Sequence, residues 1–144
     1  MNSVNTAQDD LWRQSRMKIH HIGIATKRLA MVRELYVELF TANVIHSEEL
    51  DGMYIEYLSI GDDYLELLEP VDDEGPIATY LTSRESGIHH IALETPDIES
   101  ALENVRSHGV QLVDEQPRPG AWGHSVAFLH PKSTGGILFE FVQE

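Results

Sequence analysis

The chain contains no cysteine. That removes disulfides, thiol nucleophiles, zinc ribbons and iron–sulfur clusters together, so any metal has to be held by nitrogen and oxygen. Positive charge is also scarce: 10 lysines and arginines stand against 24 aspartates and glutamates, for a formal net charge of −14. Phosphate backbones are bound by clustered Lys and Arg, which argues against a nucleic-acid partner. An anionic small molecule would need a locally basic mouth, for which Lys27, Arg118 and Lys132 are the candidates. No apolar run approaches the roughly 20 residues that span a bilayer. Residues 1–16 lack the hydrophobic stretch of a signal peptide. The expectation is a soluble, cytoplasmic protein with no membrane partner.

What is present is enough for one compact domain, 144 residues with 42% hydrophobic content. Residues 1–16 show no sustained period and read as a polar tail carrying Trp12. From residue 17 the pattern sharpens. Ile19 to Ala25 is short, apolar and β-branched, and Leu29, Val32, Leu35, Tyr36, Leu39 and Phe40 then recur at helical spacing. Strands follow at 44–47, 53–60 and 64–69, the last two separated by Gly61-Asp62-Asp63 and the last closed by Pro70.

The stretch 71–86 reads as a connection with a short helical piece around Ile77 to Leu81, and then the pattern restarts. IHHIALE, from Ile88 to Glu94, repeats the opening IHHIGIA almost letter for letter. Pro96 and Asp97 begin a second helix with the apolar face Ile98, Ala101, Leu102 and Val105, and Gly109 is placed as its stop. Strands are expected at 110–113, 125–129 and 137–142. The fold class is therefore α+β: two βαβββ modules, 17–70 and 87–144, joined by 71–86 within a single domain 17–144 and sharing a partly open, barrel-like cleft.

Chemistry gathers at equivalent places in the two copies. His21 and His90 occupy matching positions in their strands. Each is the second of a doublet, and the second is preferred because it shares a face with Gly23 and Ala25 in one copy and Ala92 in the other, which leaves room in the concavity. His20 and His89 are then expected on the opposite face. Glu66 and Glu140 each lie among apolar neighbours on the last strand of a half. A buried, uncompensated carboxylate costs several kcal/mol or neutralises itself, so both need a partner. One divalent ion held by His21, Glu66, His90 and Glu140 satisfies all four. Imidazole and carboxylate donors suit zinc, cobalt, manganese, nickel or ferrous iron.

HHIGIA (20–25), YLELLEP (64–70), GIHHIALE (87–94), the loop 117–123 and FLHPKSTGGILFEF (128–141) closely resemble the methylmalonyl-CoA epimerase family of the vicinal oxygen chelate superfamily, from about Lys18 to the end. The resemblance implies the same four ligands and the vicinal oxygen chelate fold. It also implies epimerisation of methylmalonyl-CoA, or a similar 2-substituted acyl-CoA, through a metal-stabilised enolate. Two acid/base groups must then flank the carbon: Glu140 on one side, and on the other an acid expected near Met53 to Glu56, where Glu56 is the only one. A slip of one residue would reverse its face.

Gly120, Ala121, Trp122, Gly123 and Lys132 are the candidate substrate contacts, with Trp122 standing where the family commonly has His. His124 and His130 read as structural. Glu66, where the family often has Gln or Glu, brings the set closer to the two-His, two-Glu site of glyoxalase I. The alternative is accordingly a lactoylglutathione-lyase-type reaction on a thiol hemithioacetal, and after it a metal-free small-molecule binding or resistance protein. A ring-cleaving dioxygenase would favour two His and one carboxylate, which the fourth ligand argues against. The resemblance further implies a homodimer.

Overall fold

The computed structural model describes residues 17–144, and the tail expected at 1–16 lies outside them. The first half comprises β1 (Lys18–Thr26), α1 (Leu29–Phe40), β2 (Asn43–Leu50), β3 (Met53–Ile60) and β4 (Asp63–Pro70). A short helix α2 (Pro76–Tyr80) leads into the second half. This comprises β5 (Ser86–Glu94), α3 (Ile98–Ser107), β6 (Arg118–Pro119), β7 (Ser125–Leu129) and β8 (Phe139–Gln143).

All eight strands form one curled sheet in the order β2-β3-β4-β1-β5-β8-β7-β6. Within each half the first and last strands pair in parallel, β1 with β4 and β5 with β8. The halves meet where β1 and β5 pair antiparallel, so the second copy is reversed relative to the first. Among the described residues no helix is long and apolar enough to cross a membrane.

Strand alternation divides the side chains between two faces. On one face α1 lays Leu29 and Val32 against Leu58 of β3 and Leu67 of β4, and α3 lays Ile98, Ala101 and Leu102 against Ala127, Leu129 and Phe141. A fully buried leucine such as Leu58 or Leu67 contributes roughly 1.5–3 kcal/mol by leaving water. The opposite face is concave and carries Ile55, Tyr57 and Leu68. The start of α3 follows its sequence: the Asp97 carboxylate accepts a hydrogen bond from the Ser100 backbone N–H at 3.1 Å. Gly109, at φ 79°, lies just beyond the helix end.

Two expectations differ from what is found. The strand expected at 110–113 reduces to an isolated bridge between Leu112 and Leu129. Val113 and Asp114 both donate to the Phe128 carbonyl while the Asp114 carboxylate takes the Phe128 N–H, so no regular ladder forms. The second departure lies at the β1–β5 seam. Its register slips by one residue at His20 and again at His89, so each doublet contains a β-bulge. Strict alternation fails there, and His20 and His89 turn toward the concave side instead of away from it: His20 packs on Tyr57 and His89 lines the cavity.

Candidate metal centre and its cavity

The concave face encloses a cavity of about 220 Å³. Ile55, Tyr57 and Leu68 line it from the first half, and Val126 and Phe128 from the second. Glu66, His90 and Glu140 reach into it, with His21 directly behind. These four side chains are among the most buried polar groups of the chain, between 1% and 6% exposed. Their places follow from register: Gly23 pairs with Glu66 on one side and with His90 on the other, and Ala92 pairs with both His21 and Glu140.

The donor atoms converge. His21 Nε2 lies 3.2 Å from His90 Nε2, 3.6 Å from Glu66 Oε1 and 3.4 Å from Glu140 Oε1. His90 Nε2 lies 3.4 and 3.9 Å from the same two carboxylate oxygens. Two atoms that each bind one ion at about 2.0–2.2 Å, with angles between square and tetrahedral, sit roughly 3.0–3.5 Å apart. His21, His90 and Glu140 offer three ligand atoms within 4.8 Å of one another, a set whose chemistry fits one divalent ion, and Glu66 Oε1 stands beside both imidazoles as a candidate fourth donor. Zinc, cobalt, manganese and nickel all suit such donors.

Burial and mutual charge set the protonation of these side chains. Burial pushes the Glu140 carboxyl well above the usual carboxylate range, opposed by His90 and reinforced by the Glu66 charge. Burial acts on Glu66 in the same direction but is overcome by hydrogen bonds and charge from His21 and His90, which hold it low. His21 is lowered by burial. Burial also works to lower His90, but the Glu66 hydrogen bond and both carboxylate charges outweigh it, so His90 is raised. Tyr57, paired with Glu66 across β3 and β4, has its phenol held above the ordinary range by burial and by that carboxylate.

Glu56 is not at this site. Along β3 the cavity takes Met53, Ile55 and Tyr57, so Glu56 points to the helix side, where Arg33 of α1 donates to it at 2.7 Å. The residue expected as the second base is thus a structural ion-pair partner, and Ile55 stands on the face that it was expected to use.

The substrate contacts divide as well. Gly120 and Ala121 line the cavity, whereas Trp122, Gly123 and Lys132 do not. Trp122 adopts a left-handed backbone, φ 60°, and its indole stacks between His46 and His124 at 5.1 and 5.6 Å. The Trp122 backbone N–H donates to Glu48 Oε1 at 3.0 Å. Lys132 sits in an exposed turn, where its backbone N–H donates to His130 Nδ1. Among the described residues lining the cavity Arg118 is the one lysine or arginine, and the Asp114 carboxylate accepts from it at 3.2 Å. Sequence reasoning overlooked Tyr57 and His89 at the cavity. The doublet spelling was a signal for His89, and the alternation of β3 was one for Tyr57.

Comparisons with known proteins agree with this geometry. Residues 20–128 match the family described as the glyoxalase/bleomycin resistance protein/dioxygenase superfamily. The mitochondrial methylmalonyl-CoA epimerase of Dictyostelium discoideum is 37% identical over 132 residues, covering 88% of this chain and 78% of that protein. A hypothetical protein from Bacillus halodurans superposes with a TM-score of 0.85 at 42% identity, covering 89% of this chain and 94% of the other. A variant of the Streptomyces coelicolor methylmalonyl-CoA epimerase, in complex with 2-nitronate-propionyl-CoA, superposes with a TM-score of 0.84 at 34% identity, covering 88% and 94%.

Proposed function

Since the chain belongs to the glyoxalase/bleomycin resistance protein/dioxygenase superfamily, we propose that it is a metal-dependent epimerase of acyl-CoA thioesters of the methylmalonyl type. The observation that carries the reading is the pair of buried carboxylates, Glu66 and Glu140, brought by equivalent strands to one pair of histidines at the edge of an enclosed cavity. The epimerases among the relatives and structural neighbours support the substrate class.

His21, Glu66, His90 and Glu140 would hold the ion, which when bound supplies Lewis-acid polarisation of substrate oxygens and so acidifies the α-proton. Inversion requires that the proton leave one face of the carbon and return on the other. Glu140 arrives on β8 and Glu66 on β4, from opposite halves of the sheet, so the two carboxylates can serve opposite faces. With Glu56 turned to the helix side, Glu66 takes the second role. Ile55, Leu68, Val126 and Phe128 exclude water from the reacting carbon, and Arg118 offers the substrate's anionic groups a counter-charge in an otherwise acidic protein.

The reading includes a cytoplasmic location and a homodimer. The latter is supported by Ile19 and Ile88, at equivalent places on β1 and β5, which are 60% and 64% exposed. Proton NMR of the metal-reconstituted protein with methylmalonyl-CoA in D₂O tests the activity. Metal-dependent entry of deuterium at the α-carbon is expected, and its absence from a protein holding one ion per chain would overturn the epimerase reading.

A further inference from the structure

The bulges at the seam put both histidines of each doublet to use. His20 Nδ1 lies 2.7 Å from His21 Nδ1, and His89 Nδ1 lies 3.0 Å from His90 Nδ1. A neutral imidazole carries one N–H and one acceptor nitrogen, so each close pair needs a donor and an acceptor. His21 and His90 turn their Nε2 atoms toward each other and toward both carboxylates. Ligation through Nε2 leaves the proton on Nδ1. His20 and His89 then accept at Nδ1 and carry their own proton on Nε2. His20 passes it on: its Nε2–H donates to Glu144 Oε1 at 2.9 Å.

We infer that His20 and His89 are positioning residues that fix the metal-facing tautomers of His21 and His90, and that Glu144 anchors the His20 arm. The inference rests on the metal reading of the four-residue site. Donor and acceptor alternate without conflict from His21 through His20 to Glu144, a carboxylate behind two imidazoles. Such partners orient a ligand and raise its basicity.

The ring of His20 is held in place for this task, 4% exposed and packed edge-on against His21, Tyr57 and His124. The two arms differ at their ends. His89 packs edge-on against Tyr80 and lines the cavity, so its arm ends where substrate would lie.

A rival use of the same atoms is open to test. His20, His124 and Glu144 offer three ligand atoms within 4.8 Å of one another, and His124 Nδ1 is buried without a hydrogen-bond partner among the described residues. A cation there would need the His20 Nε2 lone pair, the position that the relay protonates. Relay and second ion therefore exclude each other.

Cobalt(II) is the probe, with stoichiometry, affinity by chelator competition and the visible d–d spectrum as readouts. The unaltered protein is expected to take one ion per chain. His20→Leu should weaken binding by roughly 10–100-fold and change the spectrum. His20→Asn, whose amide oxygen replaces the Nδ1 acceptor, should recover most of the affinity. Glu144→Gln should produce a smaller loss of a few-fold and, lying at a half-exposed carboxylate, carries the test if His20→Leu does not fold.

The inference falls if His20→Leu keeps affinity and spectrum, if Asn is no better than Leu, or if a second cobalt binds and is lost in His124→Ala. It also falls if Leu does not fold and Glu144→Gln leaves affinity unchanged. Failure of the unaltered protein to bind cobalt would instead remove the metal reading itself, and the relay with it.

Discussion

Gly23 of β1 faces His90 of β5 across the seam, and the His90 ring fills the space that a Cβ on residue 23 would occupy. The glycine is there for close approach, since any other residue would push the imidazole away from the donor cluster. Gly23→Ala should weaken divalent-ion binding by roughly tenfold or more, as misplacing a ligand does, and metal titration of the folded variant checks it. Unchanged affinity would mean that His90 does not bind the ion from this position.

The two carboxylates should separate when proton exchange and inversion are followed independently. If Glu66 and Glu140 serve opposite faces, replacing either with Gln stops inversion by roughly 10²–10⁴-fold. Each variant should still exchange the α-proton of one epimer with D₂O, and the epimer should differ between them. Both epimers exchanging normally in Glu66→Gln, with metal bound, would remove Glu66 from the proton-transfer pair.

Much of this architecture was legible because the chain repeats itself. IHHIGIA and IHHIALE mark the two opening strands, and the period-two pattern around Glu66 and Glu140 turns both toward the concave face. What escaped was set by pairing partners. A bulge is defined by the strand opposite, so nothing within IHHI announces that His20 and His89 break alternation. The left-handed backbone of Trp122 is likewise held by tertiary contacts, Glu48 and the His46–His124 stack, and a bulky side chain gives no local hint of it. Register decided Glu56: one residue earlier on β3 it would have faced the cavity.

Glu56 therefore gives a prediction opposite to the one its sequence position suggests. Its partner is Arg33 on α1. Glu56→Gln should leave epimerisation within about twofold, and weakening this largely buried pair should cost on the order of 1–3 kcal/mol. Thermal unfolding and steady-state rates measure the two. A hundredfold fall in rate with an unchanged fold would return Glu56 to the chemistry.

Metal binding should release protons, and the sign follows from the surroundings of Glu140 and His90. Glu140 is raised, chiefly by burial and further by the Glu66 charge, with His90 opposing. His90 is raised because the Glu66 hydrogen bond and the two carboxylate charges outweigh its burial. Both groups thus hold protons at a pH where free carboxylates have lost theirs and free imidazoles are losing them. An ion needs the carboxylate and the imidazole lone pair, so binding expels those protons.

Affinity should consequently rise with pH for as long as the metal-free protein keeps them, and level off once it has lost them. Calorimetric titration with zinc at pH 7, in two buffers of different ionisation enthalpy, reads the protons released per ion. A buffer-dependent heat corresponding to net release is expected, and it should shrink in Glu140→Gln, where one of the two sources is gone. Equal heats in the two buffers would mean that the four side chains are already deprotonated before the ion arrives, and that the raised positions of Glu140 and His90 do not describe the metal-free protein.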